Sequence, residues 1–292
     1  MSFNTPILLI IYKRPETTKA VAKAILKINP SKVYVFADGS RNEKDLQSVK
    51  ETRKIIDELP WQGKVIKKYS KKNLGCRVGV SKAITWFFTK EKEGIILEDD
   101  CLPRKDFFYF CEELLGKFRN NKNIMQISGN YFLQNGGLKI KESYYFSKYA
   151  PIWGWATWRR AWKKYRLQLE NTNPTNYDSN EEEKKFNETF DRIRKEPPNT
   201  WDYQWLYSIW INNGLCIRPR TELVKNIGFS TGSTHTNQTR HFIETAKSEK
   251  LGKLKHPKEI LRNIEADELH FKRWFSDDIL FKIKDRIKEW QK

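Results

Sequence analysis

Gly94-Ile95-Ile96-Leu97-Glu98-Asp99-Asp100 decides the reading of this chain, because a short apolar run there ends in three consecutive carboxylates. An apolar strand that carries carboxylates to its C-terminal end is how an α/β protein assembles a site for a divalent cation and a diphosphate. Hard cations such as Mn²⁺ or Mg²⁺ take oxygen ligands, and one or two protein carboxylates suffice when water and phosphates fill the remaining positions. Read alone, the triplet also admits a lesser role as a cap for a helix beginning at Asp106 or as a solvated acidic turn.

Working outward, short β-branched or apolar runs alternate with segments of helical length. The pairs are Ile7 to Tyr12 with Glu16 to Ile28, Val33 to Ala37 with Glu43 to Glu58, Val65 to Tyr69 with Gly79 to Lys90, and Ile95 to Leu97 with Asp106 to Asn120. This order predicts βαβ units, and so an α/β fold with a mostly parallel, Rossmann-like central sheet flanked by helices. Ligands of such sheets bind beyond the carboxyl ends of the strands. The residues at those ends are Lys13-Arg14, Asp38-Gly39-Ser40, Lys71 to Gly75, and Glu98 to Asp100. No Gly-x-Gly-x-x-Gly fingerprint or Walker-type loop is among them.

The chain has 292 residues, enough for a full core, and 14% are aromatic, including 11 Trp and 17 Phe, which excludes a disordered chain although 31% are charged. A formal net charge of +19 implies anionic partners. Nucleotide diphosphates, anionic glycans, acidic lipid and nucleic acid all qualify, since the basic residues are scattered. The apolar run Ile7 to Ile11 is too short for a membrane span. Cys76, Cys101, Cys111 and Cys216 form no Cys-x-x-Cys pair, which predicts reduced thiols in a cytoplasmic protein and no structural zinc.

After Ile124 to Ser128 the pattern is less regular. A Trp-rich segment, Trp153 to Trp162, is followed by a polar stretch, Asn171 to Glu183, and a helical pattern to Lys195 that Pro197-Pro198 stops. Trp201 to Asn213 reads as a helix and Leu215 to Arg218 as a strand. Gly228 to Thr239 is a Gly/Ser/Thr loop carrying His235, and the final stretch reads as a basic helical tail with apolar Ile279, Leu280, Ile283, Ile287 and Trp290. The expected division is 1–130 for nucleotide binding, 131–244 for the acceptor side of the same domain, and 245–292 for the tail, a candidate for peripheral contact with an acidic membrane face.

Several side chains suit chemistry. Arg14 after the first strand can meet a pyrophosphate, and Asp38 after the second can accept from a base or ribose. Asp202, in the first turn of its helix, reads locally as a dipole-compensating group or as a general base for an acceptor hydroxyl. The Trp153 to Trp162 run divides between core packing and a sugar-stacking platform, and His235 between a phosphate contact on loop closure and an idle exposed ring.

Taken together, Ile96-Leu97-Glu98-Asp99-Asp100-Cys101-Leu102-Pro103-Arg104-Lys105-Asp106-Phe107-Phe108, Pro6 to Arg14, Trp201-Asp202, Cys216-Ile217-Arg218-Pro219 and Gly228 to His235 resemble the GT-A glycosyltransferase family of N-acetylglucosaminyltransferase I, in its bacterial homologues. The matches keep their order over roughly residues 5 to 240. The resemblance implies a nucleotide-sugar donor, UDP-linked, with Mn²⁺ (or Mg²⁺) on Asp100. Glu98 and Asp99 would support the donor sugar or ribose, Arg14 and Asp38 the nucleotide, with His235 on the donor loop and Asp202 as catalytic base. Trp155 and Trp201 are the expected acceptor contacts, for a glycan or lipid-linked saccharide. Tyr203 departs from the family's second carboxylate after the tryptophan. The expected activity is inverting, metal-dependent glycosyl transfer, with nucleic acid not expected as a partner. The alternatives are a nucleotidyltransferase, which would need a glycine-rich loop that Ile10 to Thr18 lacks, and a non-catalytic module binding nucleic acid or anionic glycan through the +19 charge.

Overall fold

The protein is described here by a computed structural model covering residues 2–133, 138–228 and 249–278. Strands β1 (Ile7–Ile11), β2 (Lys32–Ala37), β3 (Lys64–Tyr69) and β4 (Glu93–Glu98) pair in parallel in the order β3-β2-β1-β4. Helices α1 (Pro15–Leu26), α2 (Glu43–Glu58) and α3 (Gly75–Lys90) are the crossovers. Pro15 starts α1, where no amide partner is required, and the Asn42 side chain caps α2 by accepting from the Asp45 amide.

All five residues of β1 are buried, and their alternation sorts them onto two faces. Ile7, Leu9 and Ile11 join the core under α1, α2 and α4 (Lys105–Lys117), whereas Leu8 and Ile10 join the core under α3. A strand buried on both faces must be apolar throughout, and β1 is.

Beyond β4 the sheet continues through β8 (Trp155–Trp158), β6 (Ile124–Ser128), β9 (Leu215–Pro219) and β7 (Tyr144–Ser147). Strand β8 runs antiparallel to both β4 and β6, and β7 antiparallel to β9, while β6 and β9 are parallel. Two short strands the periodicity did not mark, β5 (Cys101–Pro103) and β10 (Val224–Asn226), form a separate antiparallel pair. Helices α5 (Arg159–Trp162), α6 (Asn180–Lys195) and α7 (Asp202–Ile211) cover the α3 side.

Within the expected tail, residues 249–278 lie against the body. Leu251 is buried, Asn263 donates its amide to the Phe146 carbonyl, and α8 (Ile264–Trp274) buries Ala266, Asp267, His270 and Phe271. Asp267 accepts from Ser147 and from the Lys148 amide, so α8 closes the β7 edge of the sheet. The apolar positions from Ile279 to Trp290 lie outside the described residues, as does His235. Among the described residues no helix is long and apolar enough to cross a membrane.

Candidate functional site: a carboxylate edge beside an aromatic cavity

The carboxyl ends of β1, β2 and β4 meet at one edge of the sheet, and register places Glu98 beside Ile10. The chain leaves β1 as Tyr12-Lys13-Arg14, with the Tyr12 amide donating to Asp99 Oδ2 at 2.9 Å. Arg14, the residue before α1, sets its guanidinium 2.6 Å from Asp100 Oδ2 and 3.9 Å from Asp99 Oδ1. The expected Arg14 and acidic triplet are therefore brought together, joined by an ion pair.

Charge here is lopsided. Burial, then repulsion from Asp100, Asp99 and Asp202, pushes the Glu98 carboxyl up to about 8, with Arg14 opposing. Burial and Asp100 raise Asp99 to about 7, again against Arg14. The carboxylate oxygens of Glu98, Asp99 and Asp100 gather beside one guanidinium, a donor set that fits a hard divalent cation. No group of three His, Cys, Asp or Glu that could hold a metal ion exists among the described residues, so a cation here would rest on one or two carboxylates with water and phosphate filling its other positions.

Asp38, at the end of β2, is 8% exposed. Its carboxylate accepts from the amides of Gly39, Leu74 and Gly75 at 2.9 to 3.1 Å and from Asn73 Nδ2 at 3.2 Å. It thus closes the start of α3, where orphan amides need an acceptor. Gly39 permits this closure, since a Cβ there would stand 2.6 Å from the Lys72 carbonyl carbon.

Asp202 reaches the same edge from the other half of the chain. The Asn199 side chain accepts from the Arg77 amide at 3.2 Å, pinning the loop before α7 to the first turn of α3. Thr200 donates to Asp202 Oδ1. Asp202 is close enough to act electrostatically on Glu98 and on Cys76, which the sequence marked only as a reduced thiol and not as part of a site. Cys76 reaches solvent, yet desolvation of its sulfur, then Glu98, Asp202, Asp100 and Asp38, push the thiol up to about 12. It stays protonated and is no nucleophile at neutral pH.

Asp202 also lines a cavity of about 300 Å³ with Phe132, Ile152, Trp153, Tyr203, Trp274 and others. The expected acceptor contacts Trp155 and Trp201 are not in this wall. They are 0% and 1% exposed, stacked on each other at 5.6 Å between ring centroids, and no face remains for a sugar. Trp155 lies in β8, between β4 and β6, where side chains meet the helical layer. His270, also in the wall, is held neutral: burial, then Arg218 and Arg273, take its pKa well below the usual range. Arg218 Nη1 lies 3.1 Å from His270 Nδ1, so Nδ1 accepts and the proton sits on Nε2.

The segment after β10 packs over the acidic triplet. The Ile227 amide donates to the Asp100 carbonyl at 2.8 Å, and a Cβ on Gly228 would fall 2.5 Å from Asp100 Oδ2.

No protein-family model matches the chain, and no curated protein does. Membership of the family that the motifs resemble is therefore not supported by these comparisons. Among solved structures, one described as UDP-glucose pyrophosphorylase complexed with UDP-glucose aligns over 84% of this chain and 97% of its own at 10% identity and a TM-score of 0.40. Mouse xyloside xylosyltransferase 1, apo form, aligns over 70% and 81% at 11% identity and 0.35. HddC from Yersinia pseudotuberculosis aligns over 53% and 77% at 7% identity and 0.33. Likeness of this order carries no information about activity.

Proposed function

We propose that this protein is a nucleotide-sugar-dependent glycosyltransferase of the GT-A kind, working with inversion, and that Asp202 is its general base. One observation carries the reading: Asp202 lines the aromatic cavity, and its charge acts on Glu98 of the carboxylate edge. A donor diphosphate at the edge and an acceptor in the cavity would then meet at this side chain.

In the reaction, Asp202 accepts the proton of an acceptor hydroxyl as that oxygen bonds to the anomeric carbon. The bond from that carbon to the diphosphate oxygen breaks on the opposite face, and the nucleoside diphosphate departs with the electron pair. Thr200, donating to Asp202 Oδ1, fixes the carboxylate so that the other oxygen takes the proton. Arg14 would face the charge developing on the leaving group, and electrostatic stabilisation of that kind is usually the largest single contribution to such catalysis. Mn²⁺ or Mg²⁺, when bound at Asp100, would supply Lewis-acid neutralisation of the diphosphate. Asp38 supports the donor side through the α3 start it organises.

The test is a nucleotide-sugar panel with Mn²⁺, following nucleoside diphosphate release with and without saccharide acceptors. Asp202→Asn should lower transfer by about 10² to 10⁴ with donor binding unchanged. Full turnover by that variant would exclude the assigned role. Formation of a nucleoside triphosphate from pyrophosphate and the nucleotide-sugar would instead identify a nucleotidyltransferase.

A further inference from the structure

Phe132 has a backbone φ of +58°, a left-handed conformation that a bulky residue rarely adopts. Its surroundings hold it there at both ends of two peptide units. Glu222 Oε1 accepts from the Tyr131 and Phe132 amides at 2.9 and 2.6 Å. Arg218 donates to the Tyr131 carbonyl, and Arg273 to the Phe132 carbonyl at 3.0 Å. Arg218, Glu222 and Arg273 are 0%, 8% and 8% exposed, so three buried ionic groups from two segments distant in the chain fix one dipeptide. Strain held in this way gathers where a side chain must be aimed.

The aim is the cavity. The partly buried Phe132 ring lies 5.0 Å from Trp153 and 5.1 Å from Trp274, measured between ring centroids, and all three line the wall that Asp202 completes. We infer that Phe132, Trp153 and Trp274 form a preset aromatic clamp that grips the C–H face of an acceptor pyranose and presents its hydroxyl rim to Asp202. Thr200 donates to Asp202 Oδ1 alone, so a wholly apolar ligand such as an acyl chain would bury the other oxygen of that carboxylate against hydrocarbon, which is unfavourable. A saccharide satisfies both surfaces, and about 300 Å³ lies at the small end of ligand pockets, suited to one or two rings. The inference rests on Asp202 as the base of glycosyl transfer and names the acceptor class of that site. Phe132 is its specificity-determining residue.

The experiment measures saccharide contact directly, without donor, by saturation-transfer NMR on the full chain with methyl glycosides of hexoses and N-acetylhexosamines and with disaccharides. Transfer to ring C–H protons is expected, with affinity at least about tenfold weaker in Phe132→Gly. Glycine relieves the left-handed backbone but removes a partly buried ring, so the melting temperature of each variant is recorded and binding is compared where all are folded. Phe132→Leu, which keeps the strain and removes the ring, should bind as weakly as Phe132→Gly. Unchanged affinity in both variants, no transfer to any saccharide, or preference for an alkyl chain would overturn the clamp. Donor-dependent nucleotide release is recorded in parallel. Saccharide contact without donor turnover would fail the glycosyl-transfer reading and not the clamp, and turnover with saccharide affinity indifferent to Phe132 would do the reverse.

Discussion

Gly228→Ala isolates the geometry of the carboxylate edge from the stability of the fold. The added Cβ would stand 2.5 Å from Asp100 Oδ2, 2.9 Å from Asp100 Cβ and 2.9 Å from Arg14 Nη1, where ordinary contact begins at 3.4 Å. Rotating the Asp100 side chain does not clear the methyl, because Asp100 Cβ is itself too close. Backing away does not either, because the Ile227 amide is bonded to the Asp100 carbonyl. Something must shift by the better part of an ångström, and the Arg14–Asp100 pair is the softest element present. The Arg14 side chain is 46% exposed, so opening the pair should cost no more than about 1 kcal/mol of stability. The chemical cost is far larger, since a misplacement of about 1 Å lowers rates by roughly 10². The expected result is about a hundredfold loss of nucleoside diphosphate release at saturating donor, with a melting temperature shifted by no more than a few degrees. Wild-type turnover with the same Mn²⁺ dependence would refute the reasoning, as would an activity loss that merely tracks unfolding.

Gly116, inside α4, is the opposite case: nothing lies within 4 Å of a Cβ placed there. Gly116→Ala should stabilise by about 0.5–1 kcal/mol in urea unfolding, through lowered backbone entropy of the unfolded chain and better helix propensity. Asp267 predicts a pH dependence. Burial raises its carboxyl to about 6, against Ser147, the Lys148 amide, Arg262 and Arg218, which lower it. A folded-state value above the unfolded one means that the native state binds the proton first. This contribution is therefore complete below about pH 4 and is lost as pH rises through about 6. The stability of wild type relative to Asp267→Asn should grow by up to about 3 kcal/mol from pH 7 to pH 4. A difference that is flat or shrinks toward acid would show the charge to be well accommodated.

The parts of the fold legible in the sequence are those set by local pattern. Glu43 to Glu58 is helical over the expected span, because an Asn cap precedes it and an apolar stripe runs through it. The four runs of the first half are parallel strands; β1, β2 and β4 are apolar because they are buried within the sheet, whereas β3, at its edge, keeps Lys67 and Lys68 and has no fully buried residue. The meeting of Arg14 with the acidic triplet follows from both lying just past neighbouring strand ends. Trp155 was misjudged because an aromatic run reads the same whether a helix covers it or solvent does. Phe132 gave no signal at all, since its conformation depends on Glu222, Arg218 and Arg273, each some 85 to 140 residues away.

The order of residues alone determined an α/β sheet whose first half delivers a guanidinium and carboxylates to one edge, because strand and helix periods and the rule for parallel strand ends are local. Only the tertiary structure decided that β8 inserts antiparallel beside β4, that Asp202 lines an aromatic cavity with its charge acting on Glu98 of the carboxylate edge, and that Phe132 is held strained in the cavity wall. Those outcomes depend on which distant segments pack together, and burial and long-range hydrogen bonds, invisible in any short window, select them.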